Sequence, residues 1–247
     1  MKISVCLATY NGEKYIKEQL DSILIQLDDD DEIVISDDSS TDNTIDIVNK
    51  YNDSRIKIFN NQTKNPITNF ENAIYHACGD VIFLSDQDDI WMNCKVEVCM
   101  DYLKYADLVI SDCKIVDSEL NIIHPSFFKF NNSKKGIINN LCHNSYIGCC
   151  MAFKRKILKE VLPFPKDIPM HDSWIGFVCD LFYKSLFLPI SLILYRRHDQ
   201  NATQTSRNSP NSILKKILFR WNLIKYIPLL LLRKNKKTHD NCLHSNI

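Results

Sequence analysis

Short apolar runs and amphipathic stretches alternate along the first hundred residues of this chain. The apolar runs, rich in β-branched residues, cover residues 3–8, 33–35, 55–59 and 80–84. The stretches whose apolar residues recur at helical spacing cover residues 15–27, 45–48 and 69–78. Strands that alternate with helices predict an α/β fold, with a mainly parallel central sheet, right-handed crossovers and flanking helices.

Three of the predicted strands end in polar turns. The first turn is Thr9-Tyr10-Asn11-Gly12, the second covers residues 36–42, and the third begins at Asp86. Ligands of such sheets bind outside the carboxyl ends of the strands, so the three turns predict one shared binding site. In the second turn, Thr41 is expected to cap the helix that follows.

The third turn carries three carboxylates within four positions, Asp86, Asp88 and Asp89. Carboxylates this close repel one another and need a cation or wide solvation. Hard oxygen ligands suit Mg²⁺ or Mn²⁺, and such an ion commonly bridges protein carboxylates to substrate phosphates. The alternative is an acidic turn that caps the next helix.

Beyond residue 91 the pattern is less regular. It predicts helices over 95–103 and 154–161, a helix that opens near residue 172, and strands over 108–111, 147–153 and 186–195. We expect one domain over residues 1–205 and an appendage over residues 206–247. Trp91 and Trp174 are expected in the core, with stacking on a sugar as the alternative.

Charge and cysteine usage narrow the class of protein. Thirty basic and thirty acidic residues give a formal net charge of zero, so nucleic-acid binding is not expected. Ten cysteines occur without a Cys-x-x-Cys pair, and residues 1–7 lack the layout of a signal peptide. We interpret the cysteines as small buried hydrophobes in a reducing cytoplasm, rather than as disulfides or metal ligands.

The appendage has a different electrostatic character from the neutral body. No Asp or Glu occurs over residues 200–239, where nine Lys and Arg residues accompany apolar residues at helical spacing. The uninterrupted apolar run is far shorter than the roughly 18 residues that span a bilayer. The pattern predicts a basic amphipathic helix on an anionic membrane surface. The alternative is a helix that packs on the domain with a solvated basic rim.

The order and spacing of the polar turns closely resemble the family 2 glycosyltransferases, whose fold is the nucleotide-sugar-binding GT-A type. The resemblance covers roughly residues 1–200. It rests on Ala8-Thr9-Tyr10-Asn11-Gly12, residues 36–44, residues 84–91, residues 148–153 and His171-Asp172-Ser173-Trp174. Three sequence motifs look most like those of the bacterial rhamnosyltransferase branch, at residues 86–91, 171–174 and 195–201.

The resemblance implies roles for residues of the first hundred, the nucleotide-binding part. Thr9, Tyr10 and Asn11 would contact a uracil or thymine and its ribose, and Asp37 would contact the base. From its residue type, Asp38 is a second candidate hydrogen-bond acceptor, although a turn before a helix explains both aspartates equally well. Asp86 and Asp88 match the Asp-x-Asp motif of the family, with Asp88 the more direct ligand of Mg²⁺ or Mn²⁺.

Residues 101–205 would form the acceptor-binding and catalytic part. Asp172 occupies the place of the family's catalytic base, although His171 stands where a Glu is usual. The alternative is that Asp172 only caps a helix. His198 would complete the metal sphere, and Arg196 or Arg197 would hold the pyrophosphate through paired hydrogen bonds.

The resemblance implies an inverting transfer of a sugar, such as rhamnose, from a UDP- or dTDP-sugar to a saccharide acceptor. The acceptor would be lipid-linked, in bacterial surface polysaccharide synthesis at the inner face of the cell membrane. Two alternatives remain open, a nucleotidyltransferase that makes the sugar nucleotide and a catalytically inactive binding subunit. The first would need a Gly-rich basic loop after the first strand, whereas only Gly12 stands there.

Overall fold

A computed structural model describes residues 1–142, 144–198 and 212–243 of the chain. Its strands are β1 (Ile3–Thr9), β2 (Glu32–Asp37), β3 (Ile56–Asn60), β4 (Val81–Asp86), β5 (Ile90–Trp91), β6 (Leu108–Val116), β7 (Ile122–His124), β8 (Met151–Lys154) and β9 (Ser185–Arg196). Its first helices are α1 (Ile16–Leu24), α2 (Thr44–Asn49), α3 (Pro66–His76), α4 (Lys95–Leu103) and α5 (Phe127–Asn131). The later helices are α6 (Ile137–Cys142), α7 (Leu158–Val161), α8 (His171–Phe182), α9 (Ile213–Ile224) and α10 (Ile227–Leu243).

The nine described strands form one sheet in the order β3-β2-β1-β4-β8-β6-β9-β5, with β7 beside β6. The half built from β1 to β4 is entirely parallel, as the alternating pattern predicts. In the other half, β8 runs antiparallel to both β4 and β6, while β6 and β9 are parallel. The α/β fold is therefore confirmed, and the departure from parallel pairing is confined to the second half.

Burial follows from the position of each strand in the sheet. The side chains of β2 are all buried, and those of β1 and β4 nearly all, as expected of parallel strands covered on both faces. Trp91 and Trp174 are 1% and 0% exposed, so the expectation that they pack in the core is correct. The structure describes the side chains of eight cysteines, which are all free and of which six are buried.

Two local expectations are wrong. The predicted strand over 147–153 is a 3₁₀ turn at Gly148–Cys150 followed by β8, because the Cys150 N–H donates to the Ile147 carbonyl instead of to a neighbouring strand. The predicted cap of α2 is also different. The Thr41 N–H donates to the Asn11 side chain, and the Asp42 carboxylate accepts the N–H and hydroxyl of Thr44.

The C-terminal helices lie against the domain by one side only. Leu223 of α9 and Leu230 of α10 are buried, whereas most large apolar residues of α9 are exposed. None of the described helices combines the length and the apolar character needed to cross a bilayer. The predicted domain boundary at residue 205 lies outside the described residues.

Candidate active site

The carboxyl ends of β1, β2 and β4 meet at one edge of the sheet. In the strand register Thr9 lies beside Asp37, and Ala8 lies beside Asp86. The parallel order of these strands thus brings together residues that are 78 positions apart in the chain, as the first two polar turns and the acidic turn predict.

Thr9 and Asp37 form a buried hydrogen-bonded pair. The Thr9 hydroxyl donates to Asp37 Oδ1 over 2.8 Å, and the Ser40 N–H donates to Asp37 Oδ2 over 2.8 Å. Thr9 is 1% exposed and Asp37 is 3% exposed. Thr9 therefore orients the Asp37 carboxylate, and direct contact of its own hydroxyl with a ligand would need the loop to open.

Asp38 is bound to a different loop. Its carboxylate accepts the backbone N–H groups of Thr63, Lys64 and Asn65 over 2.7 to 2.9 Å. Successive side chains of an extended segment point to opposite sides, so Asp38 faces away from the direction that Asp37 takes. The oxygens of Asp38 hold the loop that follows β3, and its predicted contact with the base stays a prediction.

Tyr10 and Asn11 form the exposed rim of the site. The Tyr10 ring is 46% exposed, so it is free to stack on a planar group. Asn11 has a positive φ of 48°, and its side-chain oxygen accepts the Thr41 N–H over 2.8 Å. The two loops after β1 and β2 are therefore joined at Asn11.

Gln87 joins the loop after β1 to the acidic turn, a role that the sequence analysis missed. Its Oε1 accepts the Tyr10 N–H over 2.8 Å, and its Nε2 donates to the Tyr10 carbonyl over 3.0 Å. A Cβ at Gly12 would lie 2.3 Å from Gln87 Oε1, so a larger residue there would displace the Gln87 amide. The only signal in the sequence was an amide placed between two aspartates.

We expect Gln87→Ala to weaken nucleotide-sugar binding by about tenfold, because both loops lose their mutual hydrogen bonds. Gln26→Ala is the matched control, since Gln26 also bonds two backbone groups, the Ser22 carbonyl and the Val96 N–H, away from this edge. Calorimetric titration of both variants with the donor measures the effect. Equal dissociation constants for the two variants would contradict this role of Gln87.

The acidic turn concentrates negative charge in a buried setting. Burial, followed by the nearby carboxylates of Asp88 and Asp172, raises the pKa of Asp86 to about 7. Oxygen atoms of Asp86 and Asp89 and the sulfur of Cys149 lie within 4.8 Å of one another. Asp89 Oδ2 is buried and has no hydrogen-bond partner among the described residues, and burial raises the pKa of Asp89 well above its usual value. No sequence pattern indicated Cys149.

A buried lysine lies beneath this cluster. Lys95 is fully buried, its Nζ donates to the Cys149 carbonyl over 2.6 Å, and Nζ lies 3.9 Å from the centre of the Trp91 ring. Burial lowers the pKa of Lys95, while its positive charge lowers the pKa of Asp86. Lys95 therefore offsets part of the repulsion among the carboxylates.

His198 contacts Asp88, as the predicted metal set requires. Its Nε2 lies 2.8 Å from Asp88 Oδ2, and its ring packs on Tyr15 with a centroid separation of 4.8 Å. Asp86 has different neighbours, Asp89 and Cys149. The three predicted metal ligands therefore belong to two groups, with Asp88 and His198 in one and Asp86, Asp89 and Cys149 in the other. Residues 199–201 lie outside the described part of the chain.

Arg196 holds the acidic turn in place. Its guanidinium donates to Glu18 over 2.5 Å, to the Asp88 carbonyl over 2.8 Å and to the Ser118 carbonyl over 2.9 Å. Its backbone N–H donates to Asp89 Oδ1 over 3.0 Å. Arg196 is 2% exposed and all three nitrogens of its guanidinium are engaged, so its predicted contact with a pyrophosphate would need these bonds to be exchanged and stays a prediction. Arg197 is half-buried, and its predicted role stays a prediction.

Asp172 lies in the first turn of α8, whose N-cap residue is Met170. The structure therefore does not support the alternative that Asp172 is only a helix cap. Burial raises the pKa of Asp172 to about 6, although the N–H and hydroxyl of Ser173 partly offset this effect. The negative charge of Asp172 contributes to the raised pKa of Asp86, so the two carboxylates interact electrostatically.

His171 is a buried neutral residue beside Asp172. Its ring stacks on Phe70 with a centroid separation of 3.9 Å, and neither ring nitrogen has a hydrogen-bond partner. Burial lowers the pKa of His171 to about 3, so the ring is uncharged at neutral pH. A Cβ at Gly148 would lie 2.6 Å from His171 Nε2, which ties the 3₁₀ turn to the start of α8.

Two solved structures are similar to this fold. Staphylococcus aureus TarS 1–349 in complex with UDP-GlcNAc aligns with a TM-score of 0.67 at 21% identity, over 91% of this chain and 72% of that one. A mannosyltransferase from Pyrobaculum calidifontis in complex with GDP-Man and Mn²⁺ aligns with a TM-score of 0.62 at 20% identity, over 80% of this chain and 57% of that one.

Sequence relatives agree with the fold. The dTDP-rhamnosyl transferase RfbG of Shigella flexneri is 30% identical over 220 residues, which are 79% of this chain and 72% of the relative. A UDP-Glc:α-D-GlcNAc-diphosphoundecaprenol β-1,3-glucosyltransferase of Escherichia coli, WfgD, is 29% identical over 66% of this chain and 64% of its own length. The model of the family "Glycosyl transferase family 2" matches residues 4–162. With a GT-A fold and a family match over more than half of its length, the chain belongs to glycosyltransferase family 2.

Proposed function

We propose that this protein is an inverting, metal-dependent glycosyltransferase that transfers a sugar from a UDP- or dTDP-sugar to a hydroxyl of a saccharide acceptor. The observation that carries the proposal is that the charge of Asp172, in the first turn of α8, contributes to the raised pKa of Asp86, which lies at the sheet edge where Asp37 also lies. Rhamnose is our first candidate sugar, because the relative RfbG is named a dTDP-rhamnosyl transferase.

The nucleoside would bind between the first two loops. Tyr10 offers an exposed ring for stacking on the base, and Asp37 offers a carboxylate that Thr9 and Ser40 hold in one orientation. A pyrimidine imide N–H or a ribose hydroxyl is a donor that such a carboxylate accepts. Asn11 shapes the rim between the loops.

The acidic turn fits a divalent cation. Repulsion from Asp88 contributes to the raised pKa of Asp86, and a bound cation would remove that repulsion. Carboxylate oxygens are the ligands that Mg²⁺ and Mn²⁺ prefer. We propose that Asp86 and Asp88 hold the ion, with His198 beside Asp88. The ion would supply Lewis-acid neutralisation of the charge on the departing diphosphate.

Asp172 would act as the general base. Its carboxylate would take the proton of the acceptor hydroxyl while that oxygen forms its bond to the anomeric carbon, on the face opposite the bond that breaks to the nucleoside diphosphate. A pKa of about 6 leaves the group mostly ionised at neutral pH yet basic enough to accept a proton.

We propose a lipid-linked acceptor in the assembly of a bacterial surface polysaccharide. The relative WfgD is named for a diphosphoundecaprenol-linked acceptor, and another relative, at 32% identity over 162 residues, is the abequosyltransferase RfbV of Salmonella typhimurium. An enzyme that glycosylates such an acceptor would act at the inner face of the cell membrane.

A donor screen tests the proposal. The purified chain with Mn²⁺ is incubated with a panel of UDP- and dTDP-sugars, and released nucleoside diphosphate is measured. We expect slow release from one donor, and we expect EDTA to abolish it and Asp88→Ala to reduce it at least about a hundredfold. Release that survives EDTA would contradict metal dependence. Donor binding without transfer to any lipid-linked or soluble saccharide would favour an inactive binding subunit instead.

A further inference from the structure

Helix α9 presents an apolar stripe, which we call the α9 stripe, formed by Leu214, Ile217, Leu218 and Trp221. These positions have the spacing i, i+3, i+4 and i+7, so their side chains share one face of the helix. Their exposed fractions are 79%, 54%, 52% and 58%. Isolated apolar residues are common on protein surfaces, whereas a contiguous stripe indicates a surface that another body covers.

The domain does not cover this stripe, because α9 and α10 contact the domain through other residues. Leu223 and Leu230 are buried, and Arg220 Nε donates to the Leu141 carbonyl over 2.5 Å. Arg233 donates to the carbonyls of Glu160 and Pro163 on the same side of the molecule as α7. The helices are thus already docked, and the stripe remains on the solvent side.

The charge around the stripe identifies the kind of partner. Residues 212–235 contain six Lys and Arg residues and no Asp or Glu. Four of the six contact the domain, namely Arg220, Lys225, Arg233 and Lys234, while Lys215 is exposed next to the stripe. An apolar stripe with a cationic rim is typical of helices that lie in the headgroup region of anionic bilayers. Two copies of the same cationic surface would repel each other, which disfavours a symmetric dimer through this face.

We infer that the α9 stripe binds an anionic phospholipid surface, with Trp221 and its apolar neighbours in the interface and the basic side chains at the lipid headgroups. The inference that the stripe binds lipid depends only on the C-terminal helices. The inference that this binding holds the enzyme near a lipid-linked acceptor rests on the proposed function.

Vesicle sedimentation tests this inference on the full chain. We expect binding to vesicles of phosphatidylethanolamine and phosphatidylglycerol, weaker binding to vesicles of phosphatidylcholine alone, and loss of binding at high salt. The double variant Ile217→Asp, Leu218→Asp should reduce the partition coefficient at least about tenfold. Tyr105→Asp is the matched control, because Tyr105 is 72% exposed and lies on another face, after α4.

Tryptophan fluorescence gives a site-specific readout. The chain has three tryptophans, of which Trp91 and Trp174 are buried and Trp221 is 58% exposed. Anionic vesicles should therefore shift the emission of Trp221 to shorter wavelength, and brominated lipids should quench it. Trp221→Phe should remove both changes while the emission of the buried pair remains.

Two outcomes would overturn the inference. The first is binding to phosphatidylcholine as strong as binding to the anionic vesicles, or equal binding by the double variant and Tyr105→Asp. The second is a lipid-free dimer in analytical ultracentrifugation that the double variant dissociates, which would assign the stripe to a second copy. Donor hydrolysis in the absence of lipid should be the same in the double variant and the unmodified chain, so this result is independent of the test of the transferase.

Discussion

Asp172→Asn is expected to reduce the transfer rate about a thousandfold while donor binding stays within about twofold of the unmodified chain. The change preserves the shape of the side chain and removes the charge that accepts the proton. Because Asp172 lies at the start of α8 and does not cap it, the helix should form normally. Single-turnover transfer and calorimetric donor titration measure the two effects separately. More than about a tenth of the normal rate would exclude Asp172 as the base.

The pH profile gives a second measurement of the same group. Asp172 works in its ionised form, so the rate should rise with pH and level off above its pKa of about 6. The Ser173 hydroxyl donates to the Asp172 carboxylate over 3.2 Å and thereby favours the ionised form. Ser173→Ala should therefore move the acidic limb of the profile to higher pH and leave the plateau rate nearly unchanged. An acidic limb that does not move would assign that limb to another group.

Arg196→Met is expected to lower the free energy of unfolding by about 3 kcal/mol, because two buried carbonyls lose their donor and Glu18 loses its partner. The ion pair itself contributes little to this figure, since the Glu18 side chain is 54% exposed. For a chain of this length the melting temperature should fall by about 6 to 12 °C. Divalent-ion affinity should also fall, because the Arg196 side chain holds the Asp88 backbone through its Nε.

The control for Arg196 is Lys17→Met. Lys17 forms an ion pair with Asp21 in which both side chains are mostly exposed, at 70% and 51%. Its loss should cost less than about 0.5 kcal/mol. Differential scanning calorimetry of both variants, with and without Mn²⁺, measures stability and ion binding together. Equal melting temperatures for the two variants would contradict the role that we assign to Arg196.

The sequence predicted the parallel half of the fold because its signals are local. The strands β1, β2 and β4 are apolar runs that end in polar turns, and the helices between the first four strands have clear periodicity. In the second half, the insertion of β8 between β4 and β6 depends on contacts between distant segments, which periodicity does not report. The 3₁₀ turn at Gly148–Cys150 likewise depends on the neighbouring His171 ring.

The candidate site was predictable where residue type alone indicates chemistry. Aspartates at strand ends pointed to Asp37 and Asp86, and both lie at the edge where the parallel strands end. The sequence did not show the partners of a side chain for which several groups compete. Asp38 is occupied by backbone N–H groups and Arg196 by backbone carbonyls and Glu18, and neither set of partners is visible before the chain folds.

The pair of hydrogen bonds between Gln87 and the Tyr10 backbone has a consequence for the order in which ligands bind. These bonds link the loop that would receive the base to the turn that would receive the ion, so we expect the order of one to favour the order of the other. When one ligand orders its own loop, it also orders the linked segment, and the second ligand then loses less conformational entropy on binding. Thermodynamic reciprocity requires that a bound nucleoside raise the affinity for the ion by the same factor by which the bound ion raises the affinity for the nucleoside. The side-chain amide of Gln87 would thus couple the binding of the two ligands.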